Sequence, residues 1–282
     1  MHALSLLQPG SVFVIHAVLA WLCGSQLARR WMPGGQRWER ALSLGDRYAL
    51  GVAIPGAILA MWTAFAAMAG ASLQDVAPML TDIVTQSTLG QLFLLSMSSL
   101  LLAALANVAR APAMLVWLLL VVFALSRAQL SHAGGAGPLN LGMLADALHL
   151  LLIAVWVGSV CIAGWLVLDR AESDPPWQFM EMLSRTAAWA LAGIAVTGIY
   201  AAAHRLDSPA RLIDSVYGAV LSVKLMCVTV AVALGAWNRF SGFPAADRDG
   251  WARPRLVLRI ESVFLLAALA AAARLTMQQP PQ

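Results

Sequence analysis

Charge is scarce in this sequence. Only 11% of its 282 residues are Asp, Glu, Lys or Arg, against about 25% in a soluble domain, which excludes an ordinary cytosolic enzyme and a charged disordered chain alike. Lysine is almost missing, since Lys224 is the single one among 18 basic residues. Cysteine is sparse too. Cys23, Cys161 and Cys227 all fall in apolar stretches, far apart and without metal-type spacing, so neither a disulfide framework nor a zinc finger is expected. No GxxxxGK[ST] phosphate loop is present, which argues against ATP hydrolysis within the chain.

What fills the sequence instead is hydrocarbon: 60% of the residues are hydrophobic and the mean hydropathy is +0.75. Eight apolar runs are each long enough to cross about 30 Å of bilayer as a helix. They lie at 11–28, 48–69, 88–108, 112–131, 141–168, 183–204, 215–237 and 255–276. The fold class expected is therefore an all-α polytopic membrane protein with eight transmembrane helices. Little chain remains for a soluble domain. The glycine-rich stretch 134–138 suggests two four-helix halves, 1–140 and 141–282, within one membrane domain.

The basic residues sort by side. Thirteen arginines fall in or beside alternate loops: Arg29, Arg30, Arg37, Arg40 and Arg47, then Arg110, then Arg170 and Arg185, then Arg239, Arg248, Arg253, Arg255 and Arg259. The opposite set holds four, namely Arg127, Arg205, Arg211 and Arg274. By the positive-inside rule the first set is cytoplasmic and both termini lie outside. Trp31, Trp38, Trp165, Trp177, Trp189, Trp237 and Trp251 cluster near the same interface, as amphipathic rings do. A basic isoelectric point is thus a topology signal, and no nucleic-acid partner is expected. The first apolar run has its positive charges after it, the reverse of a cleavable signal.

Ionisable groups inside membrane helices are costly and usually face the bundle interior. With this topology all five histidines are on the outer side: His2 in the tail, His132 and His204 at helix ends, His16 and His149 deeper. Met68, Met79, Met143 and Met277 are placed at the same side, and imidazole with thioether is a copper ligand set. Core packing is the competing account of each methionine. Cys23, one heptad below His16, continues that face inward. Asp146 precedes His149 by three residues and is expected to orient its imidazole, with Trp156 one heptad below as a floor. Lys224 needs a partner at its depth, and Glu261 is the candidate for an intramembrane ion pair.

Residues 145–158, Ala-Asp-Ala-Leu-His-Leu-Leu-Leu-Ile-Ala-Val-Trp-Val-Gly, resemble the hallmark of the CopD copper-resistance membrane family. Phe179 to Arg185 with Thr197-Gly198-Ile199-Tyr200, Tyr217 to Lys224 with Trp237-Asn238-Arg239-Phe240, and Arg259-Ile260-Glu261 resemble its following helices. The likeness spans about 140–276, and Ser159 stands where the family usually has a second glycine. It implies a multi-pass bacterial inner-membrane protein, not an enzyme, that binds and moves copper, commonly proposed to run from periplasm to cytoplasm. A periplasmic CopC-like copper-binding protein would act in trans, since no such soluble domain is expected in this chain.

The metal site expected is in the outer half, built from His16 and His149 with His132, His204, Met143 and Met68, and holding copper of either oxidation state. A different class competes with it. Histidines on several helices can ligate haem b, giving an electron-transfer protein or metal reductase. The topology is directly checkable by reporter fusions or cysteine labelling: residues 37 and 248 are expected to be reached only from the cytoplasm, and periplasmic labelling of either would move every histidine to the wrong side.

Overall fold

The computed structural model describes residues 2–32, 36–130, 140–169, 177–205 and 215–276, with side chains for all of these except 2–5, 36, 37, 204, 205 and 247. Every element among them is helical. In chain order they are α1 (His2–Trp31), α2 (Gln36–Ala69), α3 (Leu73–Val76), a 3-10 turn (Ala77–Met79), α4 (Leu80–Gln86), α5 (Thr88–Val108) and α6 (Ala113–Gln129). Then come α7 (Leu141–Ile162) with a π turn (Ala163–Val167), α8 (Trp177–Arg205), α9 (Val216–Trp237) with a π turn (Asn238–Gly242) running into α10 (Phe243–Asp249), and α11 (Ala252–Leu275).

The chain is an all-α polytopic membrane protein. Among the described residues seven helices are long and apolar enough to span a bilayer, where eight were expected. The exception is α6, an apolar helix of 17 residues at the short end of the spanning range. Elsewhere the expected runs start or end too late or too early. The α2 helix begins at Gln36, not near 48, and α9 continues past 237 to give one apolar stretch, Val216–Ala246. Residues 73–86 form short helices where no element was expected.

The centre of the bundle is a contact between backbones. A Cβ added to Gly24 of α1 would lie 2.4 Å from the Gly158 carbonyl carbon of α7, and one added to Gly158 would lie 1.8 Å from the Ala20 carbonyl oxygen. Ala20 and Gly24 are one turn apart, the small-xxx-small spacing that lets membrane helices close up where lipid gives no hydrophobic drive. Ser159, beside the crossing, turns its hydroxyl onto the Val155 carbonyl of its own helix at 2.7 Å. Around this pair, α2 packs on α1, α5 on α2 and α6, and α8 on α7, while α11 packs on α9, α1 and α7. Gly45 repeats the device on α2, where a Cβ would overlap the Trp21 ring.

At the end of the bundle that carries the basic loops, α1, α2 and α5 are joined by polar side chains. Asp46 is fully buried and accepts from Trp21 Nε1 at 2.9 Å, from Asn107 Nδ2 at 2.8 Å and from the Arg29 guanidinium. Asn107 Oδ1 in turn accepts from Arg29 Nη1 at 3.1 Å and Gln26 Nε2 at 2.5 Å. Glu39 pairs with Arg29 and with Arg110, whose backbone takes a left-handed φ of 60° between α5 and α6. The stretch 36–47 reads as a charged loop, yet it folds as helix, with Glu39 and Asp46 partnered across the interface. A second tie sits at the same end, where Arg259 Nε donates to the Gly164 carbonyl at 3.0 Å, its guanidinium meets Asp169 at 2.6 Å, and it covers the Trp165 ring at 4.7 Å.

Two stability outcomes follow from these contacts. Gly158→Leu is expected to lose folded, monodisperse protein in detergent, whereas Gly51→Ala, with nothing within 4 Å, keeps or slightly raises the melting temperature. Equal behaviour of the two would remove the crossing from the centre of the fold. Asp46→Ala should cost about 3 to 5 kcal/mol in denaturation by stranding Arg29, and the double change Arg29→Met/Asp46→Leu should cost less than Asp46→Ala alone.

Candidate functional site

His149 sits in α7, and α7 with α8 decides its chemistry. Its Nδ1 lies 2.8 Å from Thr197 Oγ1 on α8. The Thr197 hydroxyl has one proton, and the Gly193 carbonyl one turn earlier takes it at 2.7 Å. With Thr197 as the acceptor, Nδ1 would carry the imidazole hydrogen and Nε2 the lone pair. That is the tautomer a metal would need, fixed through the far nitrogen as ligating histidines usually are. Gly198 leaves room at the ring edge, because a Cβ there would lie 3.7 Å from His149 Cε1. The group that meets Nδ1 is thus Thr197, a partner the sequence reading did not include. Thr197 was visible in a quoted motif, but nothing in its spacing, 48 residues from His149, marks it as a partner.

His16 and His149 are eight and nine residues before Gly24 and Gly158, so they share a depth about 12 to 13 Å from the crossing. They do not share a face. Nine residues are two and a half turns, which turns His149 away from α1 and toward α8. His16 lies within electrostatic reach of Arg127 near the end of α6, whose guanidinium is 5.7 Å from the Phe93 ring. Among the described residues no three His, Cys, Asp or Glu side chains converge. His132 lies outside the described residues, and so does the side chain of His204. Met143 is buried between Ala124, Ala128 and Ala147, at the α6 and α7 interface, and Met68 is exposed at the end of α2. Cys23 is buried in the main core.

The deeper polar residues are arranged differently from the expectation. Trp156 does not floor a histidine site; its Nε1 donates to Glu261 Oε1 on α11 at 3.3 Å. Glu261 does not pair with Lys224 either. Its carboxylate lies against Gly235, where a Cβ would be 3.2 Å from Oε1, and Lys224 is eleven residues from Gly235, about 16 Å along α9. The ion pair was expected from charge alone, and the antiparallel register of α9 on α11 sets Gly235, not Lys224, across from the carboxylate.

Beside Glu261 the helices leave a cavity of about 140 Å³, lined among others by Trp156, Ser184, Gly235, Asn238, Arg239 and Glu261. Both Glu261 and Asn238 line it, and Glu261 Oε2 and Asn238 Oδ1 are buried without a hydrogen-bond partner among the described residues. Three segments quoted for their family likeness, around Trp156, Trp237-Asn238-Arg239 and Arg259-Ile260-Glu261, thus meet at one place near the basic end. Sequence reasoning used them as markers and missed the cavity they line, because the residues are up to 105 positions apart.

No curated protein and no solved structure matches the chain. One family model does. The matched stretch begins after the 145–158 segment read as a hallmark and excludes the first seven helices. It covers the last four, with the motifs around Thr197, Tyr217, Trp237 and Glu261: residues 177–275 match the family Copper resistance protein D, CopD.

Proposed function

We propose that this protein is a copper-binding transporter of the bacterial inner membrane that takes copper from the periplasmic side toward the cytoplasm. The observation that carries the reading is His149 of α7, whose Nδ1 meets Thr197 Oγ1 at 2.8 Å from within the CopD-matched stretch. Copper is the cargo, and imidazole suits either of its oxidation states. His16, His132, His204, Met143 and Met68 remain the candidate further ligands, Met143 and Met68 only after a change of packing, since one is buried in the core and the other exposed. A periplasmic CopC-like protein would deliver the ion. The reading includes no catalytic residues. Residues 1–140 would act as the scaffold that grips α7 through α1, and 141–282 as the copper-handling half. Haem b ligation by His16 and His149 has less support, because His149 meets Thr197 of α8 while His16 lies within electrostatic reach of Arg127 of α6.

Copper content and the optical spectrum of the purified protein test this together. Bound copper without a Soret band is expected. His149→Ala should remove most of the copper with the fold intact, and Thr197→Val should weaken binding by about 10- to 100-fold, as losing an orienting partner does. Asp146→Asn should have a smaller effect than Thr197→Val. Stoichiometric copper retained by His16→Ala/His149→Ala would overturn the assignment, and an intense Soret band would replace it with haem.

A further inference from the structure

The cavity near the basic end poses a problem of charge. Glu261 is 2% and Asn238 1% exposed; both line the cavity, and each has a buried oxygen without a partner among the described residues, that of Asn238 set close to Gly242. Trp156 supplies one donor, to the other carboxylate oxygen. A bare carboxylate among Val160, Leu183, Leu191 and Val232 would cost several kcal/mol. Lys224 is too far along α9 to neutralise it. Arg239 lines the rim, but it is exposed and its guanidinium lies 5.9 Å from the Phe240 ring.

A proton resolves this where a metal ion does not. Protonation removes the charge and converts an orphan acceptor into a donor. A metal would find the Glu261 carboxylate, the Asn238 amide and at most the Cys161 thiol nearby, and no three His, Cys, Asp or Glu side chains converge among the described residues. The cavity has space for several waters at roughly 10 to 15 Å³ each; its wall is mainly apolar, and Glu261, Asn238 and Ser184 are the residues on it that could hold them. The π turn Asn238–Gly242, a form found often at functional sites, carries Asn238 into the cavity wall with Arg239 next to it at the rim.

We propose that Glu261 is a proton-binding site, and that its proton exchanges with the basic end of the bundle through water in this cavity, past Asn238 and Arg239. Proton and base are conserved in the step: Glu261 Oε2–H forms as a water or hydronium in the cavity gives up the proton, and the reverse returns it. The groups that face the carboxyl are Trp156 and Cys161 from α7, Ser184 from α8, and Asn238 and Arg239 from α9 and its π turn. Among the described residues none of the ionisable side chains of α1, which also packs on α11, lines the cavity. The proposal stands apart from copper binding, and its readout needs no metal.

Infrared spectroscopy of the full chain in nanodiscs tests it. At neutral pH the wild type should show the C=O stretch of a protonated carboxylic acid, shifted in D2O. Glu261→Gln, a neutral isostere, should lose that band and keep the melting temperature. Val232→Phe, which fills the cavity, should keep the band and slow its hydrogen–deuterium exchange at least tenfold. Trp156→Phe should move the band without removing it, and serves if Glu261→Gln does not fold. A wild type with no such band at neutral pH, a band untouched by Glu261→Gln, or a band that ignores both Val232→Phe and Trp156→Phe would each overturn the proposal. So would a fall in copper stoichiometry on Glu261→Gln with no band in the wild type, which would make the cavity a metal site.

Discussion

Everything in this bundle hangs on two helix backbones touching. Lipid offers α1 and α7 no hydrophobic reason to associate, so their association comes from close packing that only Ala20, Gly24 and Gly158 allow. Once Gly158 is committed to α1, the rest of α7 is committed as well. His149 must look toward Thr197 on α8, and Trp156 toward Glu261 on α11. One small residue therefore decides which neighbour each polar side chain of α7 meets.

The polar groups divide into two kinds. Those at the basic end of α1, α2 and α5 are largely satisfied: Asp46 and Asn107 use nearly all their hydrogen-bonding capacity on one another and on Arg29, Gln26, Ser25 and Trp21, with Arg29 Nε left as a buried donor beside the Glu39 carboxylate. This is the pattern of a structural clamp. The groups of α7, α9 and α11 are not saturated, since Glu261 and Asn238 each keep a buried oxygen without a partner. A fold that completes one network and leaves another open has placed rigidity in its first half and chemical reactivity in its second.

Helices were legible because a bilayer imposes length, and uninterrupted apolar runs such as 88–108 and 141–168 have no other explanation. Their partners were not. Arg37, Glu39, Arg40, Asp46 and Arg47 look like a loop to any reading that scores hydropathy, and only Arg29, Arg110 and Asn107 from other segments make that stretch a helix. The histidines were found by residue type, yet depth along a helix says nothing of azimuth around it, so His16 and His149 were read as neighbours. Lys224 and Glu261 failed for the same reason in another form, since opposite charge predicts attraction but not register. Trp156, Asn238 and Glu261 were all quoted as motifs, and the space between them exists only in three dimensions.

The buried Asp46 also sets a timetable for biogenesis. Its partners on α1, Trp21 and Arg29, leave the ribosome before it, but Asn107 follows about sixty residues later. Until α5 arrives, the α1–α2 hairpin enters the membrane with a carboxylate short of one donor and with the Ala20 and Gly24 face uncovered. Arrival of α5 completes the donors around Asp46, and the small-residue face of α1 stays open until α7 brings Gly158 to it.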